Sequence, residues 1–350
     1  MIETYPTSSV SVEYFDTTVM NIPSLFPNID EDKILRIARI VPYLGAAGLQ
    51  FDSSNLNLIP AVLAAYDLDY DQVFSSHPEE VREHPGLSIV TSLDHDDIER
   101  SIEALQQYKS PLLEILVPSS VRSMQRLLPI SHLRNVSDTV QNSFDTANEL
   151  VMENDDFLLG CSLVDPMDKS NNPKFVDTLI DIALDMYSLE FIDFYDLMGT
   201  LEPFDTYDFF MNVFKKIHES SNINVVVSAE FSNDNGLAVA NSLYFIKSAI
   251  DFARNNKANI KTRVKTSVSN LGGYISGCDI FSLDLAIMDH VLPELKDKQQ
   301  LIIPSGHPDR TSMAVDIFRI LGIDVPITAP VIGYNALKKQ KLLIEPTPKS

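Results

Sequence analysis

Along the chain, short apolar runs bounded by turn residues alternate with longer segments in which apolar side chains return every three or four positions. The short runs are Val12–Phe15, Leu49–Phe51, Leu87–Val90, Leu112–Val117, Phe157–Leu163, Leu189–Tyr195, Ile223–Val227 and Ile260–Val268. Each predicts a strand. Helical periodicity covers Glu31–Tyr43, Asp97–Tyr108, Pro173–Met186, Tyr207–Glu219 and Gly236–Phe252. Strand then helix, repeated, builds a parallel sheet. The runs are rich in Val, Ile and Phe and alternate little, which predicts strands buried on both faces. Eight such units close into a (β/α)8 TIM barrel, an α/β fold of about 250 residues.

The pattern breaks near residue 290. Residues 291–350 carry Pro304, Pro308, Pro326, Pro330, Pro346 and Pro348, a helix predicted after Asp309, and the basic group Lys338, Lys339, Lys341. The expected organisation is a barrel over residues 1–290 and a short C-terminal extension over 291–350, wrapped on the barrel. No finer repeat than the βα unit is visible.

Composition narrows the partners. The 350 residues hold 27 basic and 49 acidic side chains, a net charge of −22, which argues against an electrostatic grip on nucleic acid or anionic lipid. Cys161 and Cys278 lie in apolar stretches and make neither a disulfide framework nor a thiolate cluster. No basic leader with an apolar run opens the chain, and no segment reaches about eighteen uninterrupted apolar residues. A cytoplasmic protein, away from the membrane, is the expectation.

In such a barrel the reacting groups stand at the carboxyl ends of the strands. The first strand runs out through Phe15-Asp16-Thr17-Thr18-Val19-Met20-Asn21, the sixth through Asp196-Leu197-Met198-Gly199-Thr200, and the seventh through Glu230-Phe231-Ser232 into Asn233-Asp234-Asn235-Gly236-Leu237-Ala238-Val239-Ala240-Asn241-Ser242. These strings resemble the metallolyase superfamily of isopropylmalate synthase, homocitrate synthase, citramalate synthase and hydroxymethylglutaryl-CoA lyase. Its motifs are DTTLRDG, DTVG, HxHNDxGLAVANS and GxGERAGN. The segment Pro330-Val331-Ile332-Gly333-Tyr334-Asn335-Ala336 is similar to the start of the synthases' linker subdomain.

The resemblance implies acyl transfer or carbon–carbon cleavage on a small carboxylated metabolite, with a divalent cation, acyl-CoA and a homodimer. The chain departs where that chemistry sits. The motif's Arg-Asp pair falls on Met20-Asn21, its two His on Glu230 and Ser232, its Asn on Gly277, and its Glu-Arg pair on Gly273-Tyr274. The cation would meet Asn21, Glu230, Ser232 and Gly277, so loss of the Lewis acid and of the cofactor is expected, and with it the ancestral Claisen mechanism. A cation regained through Glu230 with Asp16, Asn21 or Asp52 is a lesser alternative.

Candidate catalytic residues are Asp16, Glu230, Asp196, Tyr274 and His95; candidate substrate-binding residues are Asn21, Asp52, Arg122, Ser232 and Asn233. Each has a plainer reading beside it. Asp16 serves the ligand or caps the first loop. Asn233, Asp234 and Gly236 shape the start of a helix. His95 is a general base or a solvated loop residue. Arg122 is the positive charge of the site or a surface ion-pair partner. Arg310, in Gly306-His307-Pro308-Asp309-Arg310, lines an anion site or simply opens a helix.

Two functions follow. An active enzyme should bring Glu230, Asp16 and Asp196 together at a polar mouth. A non-catalytic descendant, binding a metabolite or a protein partner, should fill that mouth with Met20, Leu197 and Phe231.

Overall fold

The computed structural model describes residues 8–60, 62, 86–106, 108, 111–128, 135–152, 157–187, 189–220, 224–269, 271, 277–295, 299–304, 306–326, 329 and 331–332. Eight strands pair in parallel and in chain order: β1 (Ser8–Asp16), β2 (Gly48–Asp52), β3 (Gly86–Thr91), β4 (Pro111–Pro118), β5 (Leu158–Val164), β6 (Leu189–Asp196), β7 (Val226–Phe231) and β8 (Asn259–Ser267). The sheet closes because β1 also pairs with β8, from Ser9 opposite Asn259 to Asp16 opposite Thr266. This is a (β/α)8 TIM barrel.

Helices follow the strands: α1 (Thr18–Leu25), α2 (Glu31–Ile40), α3 (His95–Leu105), α4 (Val121–Leu127), α5 (Val136–Val151), α6 (Pro173–Leu184), α7 (Pro203–Glu219), α8 (Ala238–Asn256) and α9 (Ile280–His290). Several of their starts are written in short polar side chains that accept from exposed backbone amides. Asp30, Asp94 and Asn172 do so for α2, α3 and α6, and Ser120 forms a capping box with Ser123 at α4. Periodicity leaves α1, α4, α5 and α9 unpredicted.

The seventh strand differs from its prediction, Ile223–Val227. It runs through Ser228 and Glu230 to Phe231, while Ile223 lies outside the described residues. Polar residues extend this strand because they face the barrel axis, as the bond from Ser228 Oγ to Asp193 on β6 shows.

Two cores result. Between strands and helices, Phe194, Phe210, Phe214, Phe231 and Phe245 are buried together, with Phe210 and Phe245 rings 4.5 Å apart. Inside the barrel, Phe15, Leu112, Phe191 and Val226 form an apolar layer toward the amino ends of the strands. Gly48 and Gly160 make room for it, since a Cβ at either would overlap the Phe15 or the Phe191 ring. The Arg263 guanidinium lies between those rings, 4.0 and 4.6 Å from their centres, and donates to Glu13 Oε2.

The extension is tied to the barrel. Strand β9 (Gln299–Ile302) pairs with Ser8–Ser11 of β1, and α10 (Arg310–Leu321) packs on α2. Arg310 Nη1 reaches Asp284 Oδ2 of α9 at 2.5 Å, and Tyr14 Oη donates to Asp284 Oδ1 at 2.8 Å. Arg310 therefore joins α10 to α9 and β1. No helix among the described residues is long and apolar enough to cross a membrane.

Candidate active site

Above the apolar layer the barrel axis becomes ionic. Lys265 of β8 is 2% exposed, and its ammonium meets three carboxylates from three strands. Glu114 of β4 is in direct contact with it, Asp193 Oδ2 of β6 is at 3.3 Å and Glu230 Oε2 of β7 at 3.4 Å. Neutral donors complete the cluster. Gln50 Nε2 donates to Glu114 Oε2 at 2.7 Å, and Ser162 Oγ donates to Asp193 Oδ2 at 2.8 Å.

Alternation along the strands produces this arrangement. Residues two apart on a strand share a face, so Arg263 and Lys265 on β8, Phe191, Asp193 and Tyr195 on β6, and Ser228 and Glu230 on β7 all look inward. Burial raises the Glu230 carboxyl to about 7, with Asp193 and Glu114 pushing the same way against the lowering effect of Lys265. Glu114 is raised as well, chiefly by burial. Burial alone would lower Lys265, but Asp193, Glu114 and Glu230 outweigh it and hold the ammonium above the usual lysine range. Lys265 is thus a permanent cation rather than a free amine nucleophile.

Tyr195 is half-buried next above Asp193 on the same face, and burial followed by the Glu230 charge keeps its hydroxyl well above the usual range. It remains a proton donor at neutral pH. At the rim, Arg122 and Arg126 lie on α4, and Arg126 Nη1 is 3.8 Å from Met198 Sδ.

The carboxylates at the strand ends do not converge. Asp16 turns to its own loop, accepting from the Thr18 amide at 2.8 Å and the Thr18 hydroxyl at 3.0 Å, and burial raises it to about 7. Asp196 accepts from the Leu201 amide at 3.3 Å, and burial raises it to about 6. Asp52 accepts from the Ser54 amide at 2.8 Å. Asn21, on α1, donates to Thr17 Oγ1 at 3.4 Å. Asn233 Oδ1 accepts from the Ala238 amide at the start of α8. Ser232 is buried after β7, His95 is exposed at the start of α3 and Arg122 is exposed on α4. Tyr274 lies outside the described residues. Phe231 is wholly buried among the phenylalanines outside the barrel, whereas Met20 and Leu197 are half-buried.

The four positions that align with cation ligands do not fit a divalent ion. Glu230 faces the Lys265 ammonium, Asn21 directs its amide nitrogen to Thr17, Ser232 offers a neutral hydroxyl and Gly277 has no side chain. Among the described residues no group of three or more His, Cys, Asp or Glu is placed to hold a metal ion.

No family model matches this chain, and no curated protein matches it. Solved structures do. The carboxyl transferase domain of Rhizobium etli pyruvate carboxylase, solved with pyruvate, is 15% identical over 79% of this chain, with a TM-score of 0.43; the match spans 43% of that chain. QR15, an aldolase, is 12% identical over 83% of this chain and 100% of its own, with a TM-score of 0.41. The catalytic domain of β-amylase from Paenibacillus polymyxa is 8% identical over 84% of this chain and 100% of its own, with a TM-score of 0.43. These neighbours are barrel enzymes of metabolism, and the likeness goes no further than architecture.

Sequence reasoning singled out Glu230 but missed Lys265, Glu114, Asp193 and Tyr195. The available signal was a charge flanked by apolar residues within a strand, as in Ile192-Asp193-Phe194 and Val264-Lys265. In a closed barrel such a residue has only the axis to face.

Proposed function

We propose that the mouth of the barrel holds a small carboxylated metabolite over Glu230, and that Glu230 moves a proton in making or breaking a carbon–carbon bond without a divalent cation. One observation carries this reading. A carboxyl raised to about 7 sits at the carboxyl end of β7, where barrel enzymes place their chemistry, with the neutral Tyr195 hydroxyl close to it. A base of this strength takes a proton from the carbon beside a carbonyl, and Tyr195 is suited to donate to the oxygen that gains charge. Arg122 and Arg126 supply positive charge at the rim for the substrate's carboxylate.

The resemblance to the synthases and lyases rests on the motif residues alone and supplies the substrate class. Proton exchange tests the reading directly. In heavy water, 2-oxo acids should exchange their C3 hydrogens in the presence of the protein, and Glu230→Gln should abolish the exchange. Acyl-CoA, the second substrate the resemblance implies, is checked by thiol release, and the expected homodimer by sedimentation. Absence of both exchange and thiol release across a panel of 2-oxo acids would overturn the reading.

A second reading, a barrel that binds a metabolite or protein partner without turnover, draws on a different observation. Asp16 and Asp196 are engaged by their own loops. On that reading a 2-oxo acid raises the thermal midpoint, and its hydrogens do not exchange.

A further inference from the structure

Among the described residues, three polar atoms inside the barrel are buried without a hydrogen-bond partner: Gln50 Oε1, Ser88 Oγ and Arg263 Nη1. Their positions are related. Gln50 and Ser88 are register partners on β2 and β3, and the inward residues one step below them are Gly48 and Gly86. The Phe15 ring lies against both glycines, and the Arg263 guanidinium lies 4.0 Å from that ring. The three orphaned atoms therefore border the step between the apolar layer and the ion cluster. Leaving even one such group unpaired is costly, and three that border the same step of the interior point to a common partner.

The chemistry of that partner is constrained. Gln50 Oε1 only accepts, Arg263 Nη1 only donates, and Ser88 Oγ does either. An anion has no proton for Gln50 and would adjoin the Glu114 carboxylate, to which Gln50 Nε2 is bonded. A cation would face Arg263 and, beyond Glu114, Lys265. What satisfies all three is small, neutral and both donor and acceptor.

We propose that a water molecule is built into the barrel interior, held by Gln50 Oε1, Ser88 Oγ and Arg263 Nη1. It joins the two charged systems of the axis. On one side Gln50 leads to Glu114 and Lys265; on the other Arg263 leads to Glu13, whose side chain is 40% exposed toward the amino ends of the strands. Three partners is the usual number for a buried water. The proposal does not rest on a reaction at the mouth.

Two measurements test it on the full chain. A crystal structure at about 1.5 Å or better should show a density peak within hydrogen-bond distance of all three atoms. Side chains that turn to bond one another, with no peak between them, would overturn the proposal. Ser88→Val separates the cases by sign. Evicting a bound water strands Gln50 and Arg263 and lowers the thermal midpoint by several degrees, while filling a dry void leaves the midpoint unchanged or raises it. Ser88→Ala, too small to displace the water, should keep the density peak beside Gln50 and Arg263; loss of that peak with an unchanged midpoint would count against the site.

Discussion

Replacing Lys265 by Met removes the ammonium that contacts Glu114, Asp193 and Glu230 at the centre of their cluster, while leaving a side chain of similar length. The exposures of the four side chains, 2%, 1%, 0% and 4%, leave little room for solvent to take over. Breaking a buried ion pair by removing one partner costs about 3–5 kcal/mol. Part of that cost is recoverable, because Glu114 and Glu230 are already raised by burial and can take up protons. The sign follows from linkage. A carboxyl whose folded value lies above its unfolded one binds more protons in the folded state, so its contribution to stability is present at low pH and is lost as pH rises through the folded value. For Glu230 that window runs from the ordinary carboxyl value, 4.5, up to about 7. Without Lys265 the window extends to higher pH. Thermal or urea midpoints at pH 5.5 and pH 8 should therefore show a large loss for Lys265→Met at pH 8, roughly 10 °C, and a clearly smaller loss at pH 5.5. Equal losses at the two pH values, or none at pH 8, would refute the pairing.

Other substitutions probe neighbouring features. Glu230→Gln removes one group that disfavours the folded state at high pH, so the fall in midpoint between pH 5 and pH 8 should be shallower than in the parent protein, as thermal unfolding across that range would show. Gly160→Ala places a Cβ into the Phe191 ring and should cost about 1–3 kcal/mol by overpacking, read as a lower urea midpoint. Arg310→Ala leaves Asp284, 6% exposed, without its cation; loss of that charged bond should cost about 1–3 kcal/mol and speed protease cleavage between β9 and α10.

The barrel was legible because both-face burial leaves a direct trace. Eight apolar runs between periodic segments match the eight strands, and only the seventh is displaced, where Ser228 and Glu230 interrupt the apolar pattern yet stay in the ladder. Helices α4 and α5 were harder to read. The first is only seven residues long, and the second, VSDTVQNSFDTANELV, spreads its buried positions among polar ones. The site was half legible. Position along the chain picks out the strand ends, and so Asp16, Asp196 and Glu230, but does not say which way each one faces. Asp16 and Asp196 directly follow inward residues, Phe15 and Tyr195, so alternation turns them to the outside and to their own loop donors. Glu230 is in phase with Ser228 and faces the axis. Phase within a strand, more than proximity to its end, decides which of these three carboxylates faces the barrel axis.

That phase ties stability and the proposed chemistry to one ionisation. Burial, Asp193 and Glu114 all raise Glu230, and Lys265 opposes them. Glu114→Gln removes one of the raising charges and frees the ammonium to lean toward Glu230. The Glu230 carboxyl should then ionise at lower pH. If Glu230 is the proton-moving group, the rising limb of the exchange rate against pH must shift downward, and so must the part of the fall of thermal midpoint that remains once the titration of Glu114 itself is gone, since both record the proton leaving Glu230. A stability curve that moves while the exchange profile stays fixed would assign the chemistry to another group and leave Glu230 a structural member of the cluster. An exchange profile that moves alone would mean that the stability slope comes from Asp16 and Asp196, which burial raises to about 7 and about 6 and which lie outside the cluster.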